Sequence, residues 1–487
     1  MDWREGRKLM EENLAKTVPP SEFLRARKPW MRLLADRLGK EFDYASILGA
    51  DVEGKTYSVS SKVTSVSDGR WGERGFVARV YGKGRYFESA FNEMPESEAE
   101  VLALAQRIAA AARSAESGAP ECPPPPEEEA LEKTFSESAG ILPGDMGPDE
   151  ILAALSGLAQ KMLAHSPEIV DARASIGSAK VSKIFISAKK DLEQNYFWSE
   201  AYTFATARRQ DNTRLFFKSY SGMKGLELLD EMKGGAAETA ACAVELLDAR
   251  PVEPGEYDVI CSPDSAGLIA HEAFGHGVEL DMFARDRAKA REYMGREVAS
   301  SAVSMRDGAA SARQVASFLF DDEGNIAKDT AIIEKGILRS AISDAISAAR
   351  MGLAPTGNGR RHSYANKAYS RMTNTFFTPG PDKLDDMIVS VKRGYLIEKA
   401  YSGMEDPKDW GIQCMFTHAR EILDGKLSGR IVAPVMMTGY VPDLLKAISM
   451  VSEETTLHGS GACGKGYKEL VKTSSGGPYI KTKARLG

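Results

Sequence analysis

The sequence predicts an α+β fold, and three observations support this class. Apolar residues recur at helical spacing in some stretches and alternate at period two in others. A proline- and glutamate-rich segment, 115–147, interrupts both patterns. Beyond it, a short apolar strand leads directly into a helix that carries two histidines. We therefore expect two domains with mixed and antiparallel sheets flanked by helices, and the histidine motif on a helix after a strand.

The expected domain boundaries follow these patterns. At 487 residues the chain is long enough for two or three domains. An N-terminal α+β domain is expected over 1–114, beginning with two helices in 1–42. The linker 115–147 contains four consecutive prolines after Cys122 and then three glutamates, a run expected to be extended and solvated. The C-terminal domain, with the histidine motif, is expected over 148–487.

The composition indicates the cellular compartment of the protein and the classes of partner it can have. The formal net charge is -6 and the sequence pI about 5.8, so no global field attracts nucleic acid or an anionic membrane. No apolar run reaches the length of a membrane span, and the first residues do not resemble a signal peptide. The five scattered cysteines form no CxxC pair. We expect a cytoplasmic protein with no membrane or nucleic-acid partner.

The histidine helix has clear start signals. The apolar stretch 257–261 is typical of a short strand. Ser262 is a suitable N-cap, and Pro263 fits the first helical position, where its missing N–H costs nothing. The sequence therefore predicts a strand that feeds a helix at this point.

The helix carries His271, Glu272 and His276, the residue types that serve as ligands and base in zinc hydrolases. The spacing is His-Glu-x-x-x-His, and at about 100° per residue the second imidazole points about 140° away from the first. Both can face one ion only if the helix bulges or ends between them, which Gly275 would permit. The alternative is a helix end with two unrelated histidines.

A third candidate ligand lies near the C-terminus. The glycine-rich loop 459–466 carries Cys463 beside Lys465, which favours a thiolate. Two imidazoles, one thiolate and a water make an open tetrahedral zinc site of the catalytic kind. His458 is an alternative third ligand, or a residue behind the ligands. The loop also matches phosphate-binding glycine patterns, but it lacks the structural context and the Ser or Thr that those patterns require.

These segments resemble the signature of the TldD/PmbA metallopeptidase family. The resemblance rests on the His-Glu-x-x-x-His motif, the Cys-Gly-Lys motif and two intervening stretches, which lie at 260–279, 355–361, 371–375 and 461–465. It implies that His271, His276 and Cys463 bind Zn²⁺ and that Glu272 is the general acid/base. Residues 402–407 and the segment after Lys465 depart from the family pattern, which bears on peptide binding rather than on the metal set.

The resemblance also carries expectations for the whole subunit. It implies an α+β two-domain subunit of the TldD type, which bears the metal set that TldE/PmbA-type subunits lack. Its expected partner is a TldE/PmbA-like subunit or a second copy of itself. The expected substrates are unfolded or extended peptides, aligned by β-addition, with Asn374 and His418 as candidates for contacting them.

Three functions compete at this stage. The leading hypothesis is a zinc peptidase. The second is a regulatory or interaction protein with a structural metal, which the family's older association with DNA gyrase would suit. The third is a thiol hydrolase that pairs Cys463 with His458, but this arrangement leaves His271 and His276 unused.

Overall fold

The computed structural model describes residues 16–115, 118 and 120–487, and its helices and strands confirm the α+β class. The first of the two helices expected in 1–42 lies largely outside the described residues. The second is confirmed. The α-helices of the described residues are α1 (Glu22–Leu38), α2 (Glu98–Ala115), α3 (Pro148–Leu163), α4 (Leu228–Glu245), α5 (Pro263–Ala270), α6 (Leu280–Phe283), α7 (Ala345–Met351), α8 (Leu384–Val389) and α9 (Val441–Lys446).

The strands fall into two series. The first series is β1 (Lys16–Thr17), β2 (Tyr44–Glu53), β3 (Lys55–Ser60), β4 (Thr64–Asp68), β5 (Glu73–Gly82), β6 (Arg85–Phe91), β7 (Leu131–Ser136), β8 (Ser138–Ala139), β9 (Ile169–Ser187), β10 (Lys190–Arg209) and β11 (Asn212–Gly222). The second series is β12 (Gly255–Cys261), β13 (Met305–Asp307), β14 (Thr330–Glu334), β15 (Ile337–Leu338), β16 (Gly359–Arg360), β17 (Tyr369–Ser370), β18 (Asn374–Phe377), β19 (Arg393–Glu405), β20 (Gly411–Leu423), β21 (Lys426–Val432), β22 (Val435–Tyr440), β23 (Met450–Val451), β24 (Thr456–His458), β25 (Ala462–Lys465), β26 (Glu469–Lys472), β27 (Ser474–Gly477) and β28 (Ile480–Leu486).

A nine-stranded sheet occupies the first half of the chain. Its main path runs β11-β10-β9-β2-β5-β6, with β3, β4 and β7 paired at its sides. Helices α1 and α2 cover one part of this sheet, and α3 and α4 cover another. Strands from both sides of the segment 115–147 thus share one sheet, and the division into two domains stays a prediction.

The proline-rich segment is extended but not free in solvent. The Tyr81 hydroxyl donates a hydrogen bond of 3.0 Å to the Cys122 carbonyl. Glu128 lies 3.3 Å from Lys190 and accepts a hydrogen bond from Ser187. Further along, β7 pairs in parallel with β10. The run is extended, as expected, and Pro123, Pro124, Glu127 and Glu129 are exposed, but Cys122 is buried and the segment lies against the sheet.

The second half is built on a sheet that closes on itself. The path is β12-β19-β20-β22-β28-β23, and β12 also pairs with β28. A third sheet, ordered β15-β14-β13-β18-β27-β24, lies beside it. Helix α5 follows β12 and packs against both β19 and β27. Within the described residues, no helix is both long and apolar enough to span a membrane.

Helix α5 begins as predicted. The Ser262 hydroxyl accepts a hydrogen bond of 3.5 Å from the Ser265 N–H, and Pro263 is the first helical residue. A Cβ placed at Gly267 would lie 2.5 Å from the backbone nitrogen of Gly476 in β27. The helix can therefore sit directly on the backbone of β27 only because position 267 has no side chain.

Candidate metal centre

The helix bulges between the two histidines. Residues His271–Gly275 form a π-helical turn in which the His276 N–H donates to the His271 carbonyl. The two imidazole rings lie 5.2 Å apart, centroid to centroid, at an interplanar angle of 90°. The predicted bulge is confirmed. It brings both rings to one side although their spacing in a regular helix would separate them.

Gly275 has a different role from the expected one. Its φ of -75° is open to any residue, so the turn does not depend on the conformational freedom of glycine. A Cβ at this position would lie 2.0 Å from the sulfur of Met372. Gly275 is therefore required by close packing against Met372.

Cys463 reaches the histidines from a distant part of the chain. It lies in β25, which forms a hairpin with β26, and its side chain is 2% exposed. Its Sγ lies 3.5 Å from Nε2 of His276, and one donor atom from each of His271, His276 and Cys463 falls within 4.8 Å of the others. The buried Arg371 donates a hydrogen bond of 2.6 Å to the Cys463 carbonyl and fixes the strand.

The donor set fits a tetrahedral zinc ion. With Zn–S of about 2.3 Å and Zn–N of about 2.0–2.1 Å, a sulfur and a nitrogen ligand stand about 3.5 Å apart. The observed Sγ–Nε2 distance is 3.5 Å. His458 lies on β24 and is not part of the group. Within the part of the chain that the structure describes, no fourth protein donor joins these three, and catalytic zinc sites likewise have three protein ligands.

The thiol and the imidazole stabilise each other's charged forms. Burial disfavours the Cys463 thiolate, but His276 and then His271 bring the pKa of the thiol well below its usual value. Burial likewise opposes protonation of His276, but Cys463 and Glu279 raise its pKa well above the usual range. The cations that stabilise the thiolate are therefore the imidazoles, and Lys465, expected from its position to favour the thiolate, instead contacts Glu279 and Asp281.

Glu272 directly follows His271 in the π-helical turn. It is 8% exposed and packs against β19, where a Cβ at Gly403 would lie 2.6 Å from Cγ of Glu272. The carboxylate thus occupies space that any other residue at position 403 would fill. This places an acid–base group next to the candidate ligands.

Sequence reasoning missed the buried charges around the centre. Glu279 and Asp281 both contact the Lys465 ammonium, at 2.9 and 2.7 Å. The carboxyl oxygens of Glu405 are also buried, and they have no hydrogen-bond partner in the described part of the chain. Burial raises the pKa of Glu405 to about 9. The only sequence signal was the position of Glu279, three residues after His276.

The two residues suggested for substrate contact are buried. Asn374 is fully buried, and its side chain bonds to Gly308, Ala312, Ser317 and Ser474. His418 is 3% exposed, with Nε2 3.1 Å from Glu398 and Nδ1 2.9 Å from Thr417. These contacts give both side chains a structural role, and their contact with substrate stays a prediction.

Fold and site together define a class of protein: an α+β subunit with a candidate metal centre of two imidazoles and one thiolate. The ligand-bearing segments are 187 residues apart in sequence, from His276 to Cys463. Comparison with known proteins finds a family that the C-terminal region resembles. Residues 254–484 match the family model described as the PmbA/TldA metallopeptidase C-terminal domain.

Relatives of known sequence have consistent names. A "Metalloprotease" of Methanothermobacter thermautotrophicus is 27% identical over 449 residues, which are 89% of this chain and 93% of that relative. A "Zinc metalloprotease TldD homolog" of Saccharolobus solfataricus is 30% identical over 241 residues, which are 49% of this chain and 53% of that relative. The similarity to the second spans about half its length. The C-terminal region of the chain, 254–484, is thus similar to the TldD/PmbA family.

Solved structures share the fold. TldE from Thermococcus kodakarensis superposes with a TM-score of 0.74 at 16% identity, covering 94% of this chain and 100% of that one. A putative modulator of a DNA gyrase from Thermotoga maritima gives the same TM-score at 16% identity, covering 93% and 99%. At this level of identity the likeness establishes the fold alone.

Proposed function

We propose that this protein is a zinc-dependent peptidase in which His271, His276 and Cys463 hold Zn²⁺. The observation that carries the proposal is the group of three donors, with no fourth among the described residues, next in sequence to the buried Glu272. A structural zinc is enclosed by four protein ligands, whereas a catalytic zinc keeps one position free. The relatives named metalloproteases support the same reaction class.

The residues divide the chemistry of peptide hydrolysis between them. Bound zinc supplies a Lewis acid that polarises the scissile carbonyl and makes water more acidic. Glu272 accepts the proton of the attacking water as a new C–O bond forms. It then returns this proton to the amide nitrogen as the C–N bond breaks, which releases a free amine. Burial beside Gly403 holds Glu272 in one place for both transfers.

The substrate we propose is an unfolded or extended peptide that adds to the edge of β19. Within the described chain, residues 402–405 pair with β20 on one side, and β12 covers the other side of the strand only as far as Ile397. The open edge includes Gly403, which touches Glu272. Tyr401 and Met404 are exposed along it. Backbone hydrogen bonds to this edge would align a peptide without reading much of its sequence.

The partner we propose is a subunit of the same fold, either a TldE/PmbA-like chain or a second copy. The support is the match in fold to TldE over nearly the whole chain. A non-catalytic regulatory protein with a structural metal remains the competing function, and the following substitution separates the two.

Glu272→Gln tests the catalytic assignment. The amide keeps the size of the side chain but cannot accept the proton, so peptide cleavage should fall by about 10²–10⁴-fold while zinc content stays at the wild-type level. Cleavage is measured on an unfolded protein with the candidate partner present, and zinc by atomic absorption. Glu334→Gln, an exposed change on β14, serves as the control and should leave both unchanged. Undiminished cleavage by a zinc-loaded Glu272→Gln protein would contradict the assigned role.

A further inference from the structure

We propose that Glu279 is a positioning residue which, held by Lys465, orients the imidazole of His276 so that its Nε2 faces the metal. This inference rests on the proposed function in that it takes His276 as a ligand. Nothing in the ligand motif assigns a role to Glu279 or to its contact with Lys465.

Glu279 contacts His276 directly. Glu279 is 2% exposed, and its Oε2 lies 3.3 Å from Nδ1 of His276. An ionised carboxylate only accepts hydrogen bonds, so Nδ1 carries a hydrogen, and Nε2 is the nitrogen left to bind a metal once its own proton is released. Nε2 is also the nitrogen that lies 3.5 Å from the sulfur of Cys463. The contact therefore selects the tautomer and the ring orientation that a metal at this group requires.

Lys465 holds the carboxylate of Glu279. The Lys465 ammonium donates to Oε2 of Glu279 at 2.9 Å, to Asp281 at 2.7 Å and to the Ser370 carbonyl at 3.1 Å. The ammonium of Lys465, itself held by Asp281 and Ser370, thus fixes the Glu279 carboxylate in position.

Lys465 lies on the same strand as Cys463. It stands two residues after Cys463 in β25, so both side chains project from the same face of that strand. The hairpin that delivers the thiolate therefore also delivers the cation that holds Glu279. Ligand assembly and ring orientation depend on one element.

Hydrogen bonds to a second segment of the chain hold the backbone on both sides of Glu279. The Leu280 N–H donates to the Ile342 carbonyl at 2.8 Å, and the Ile342 N–H donates to the Val278 carbonyl at 3.0 Å. Glu279 is thereby held on both sides by a second segment of the chain. The backbone that carries the Glu279 carboxylate is therefore held by contacts that do not involve the His276 imidazole.

The test compares Glu279→Gln with Asp281→Asn in the full-length protein. Asp281 shares Lys465 with Glu279, and no bond joins it to His276 among the described residues, so Asp281→Asn is the matched control. Zinc affinity is measured by competition with a chromophoric chelator. Glu279→Gln should weaken it about 10–100-fold, and Asp281→Asn should change it much less. Circular dichroism of the metal-free proteins checks that the fold is retained.

A second readout reports the ring directly. In the zinc-loaded protein labelled with ¹⁵N-histidine, NMR should find the hydrogen of His276 on Nδ1 and the metal on Nε2. Glu279→Asp, which keeps the charge but withdraws it from the ring, should have an affinity between those of the wild type and Glu279→Gln. This variant keeps the test decisive if Glu279→Gln does not fold.

The outcomes separate this inference from the proposed function. Metal on Nδ1 of His276, or wild-type zinc affinity in Glu279→Gln and Glu279→Asp, overturns the positioning role and leaves the peptidase proposal in place. A wild-type protein that binds no zinc, or binds it equally well after His271→Ala, overturns the proposed function and this inference with it.

Discussion

The shape of the candidate centre depends on side chains that are absent as much as on those that are present. Gly275 gives room to Met372, and Gly403 gives room to Glu272. Neither glycine needs a left-handed backbone, because neither has a positive φ. Each is explained by the close approach of one neighbouring side chain. Small changes here should alter chemistry more than they alter folding.

Gly403→Ala should show this. The new Cβ would lie 2.6 Å from Cγ of Glu272, so the carboxylate must shift, and a misplacement of about 1 Å can reduce the rate about 10²-fold. We expect that loss of peptide cleavage with unchanged zinc content. Gly411→Ala on the neighbouring strand β20, where a Cβ meets nothing within 4 Å, should retain activity. Full activity in Gly403→Ala would mean that Glu272 does not act from this position.

The candidate centre depends on helix α5, because both histidines lie in the turn that continues from its C-terminal end. It is short, and its position comes from its seat on β27 rather than from its own helical propensity. At Gly267 the backbones of helix and strand approach too closely for any side chain. The π-helical turn that follows then points both imidazoles toward the β25–β26 hairpin.

Gly267→Ala should separate these two backbones and lower the free energy of unfolding by at least about 2 kcal/mol, with zinc affinity lost as α5 shifts. Gly157→Ala provides the comparison. It lies exposed in α3 with nothing within 4 Å of its Cβ, and should stabilise the protein by about 0.5–1 kcal/mol. Urea denaturation followed by circular dichroism measures both. Equal stability of the two variants would contradict the close packing of α5 against the backbone of β27.

The molecule as a whole is tied together by buried ion pairs between the nine-stranded sheet and the loops of the second half. Arg361 donates to Glu88 at 3.0 Å, and Arg79 bridges Glu88 and Glu323. Lys183 pairs with Asp322. Burial opposes ionisation of Glu88, but Arg79 and Arg361 hold its pKa well below the usual range. The charged form of Glu88 therefore contributes to stability.

The sign of the pH dependence follows. Since the folded-state pKa of Glu88 is depressed, its contribution is complete above the unfolded pKa of about 4.3 and is lost as the pH falls below that value. Glu88→Gln should remove part of the acid sensitivity. At neutral pH it should cost about 3 kcal/mol, because Arg361 loses its carboxylate. Unfolding free energies measured from pH 7 to pH 3 test this.

The control for Glu88→Gln is Asp68→Asn, which breaks an exposed pair with Lys55. Such a pair is screened by solvent, so this change should leave the stability profile of the wild type unaltered. If Glu88→Gln and Asp68→Asn have the same profile, the buried ion pairs do not hold the two halves together.

Local signals made much of the fold predictable. The strand before α5, its cap and the bulge between the histidines follow from neighbouring residues, and all three are confirmed. The glycine and apolar pattern at 332–338, typical of a hairpin, likewise corresponds to the antiparallel pair β14–β15. These features depend on interactions within a few residues, which the sequence displays directly.

Features set by distant contacts were not predictable. The β-branched pattern of residues 388–391 is typical of a strand, but α8 extends to Val389. In β28, basic residues alternate with the buried residues Ile480, Thr482, Ala484 and Leu486 inside the closed sheet. No short-range pattern indicated that Lys465 would meet Glu279, because that pairing exists only after the β25 hairpin folds onto the helix.

The most direct test is the metal content of the purified protein, wild type beside Cys463→Ala and His271→Ala. The two segments meet at one donor group, so the wild type should hold about one zinc ion per chain and both variants should lose it. Circular dichroism of all three checks that the fold is retained. No zinc in the wild type, or zinc that persists after both changes, would contradict a shared metal centre.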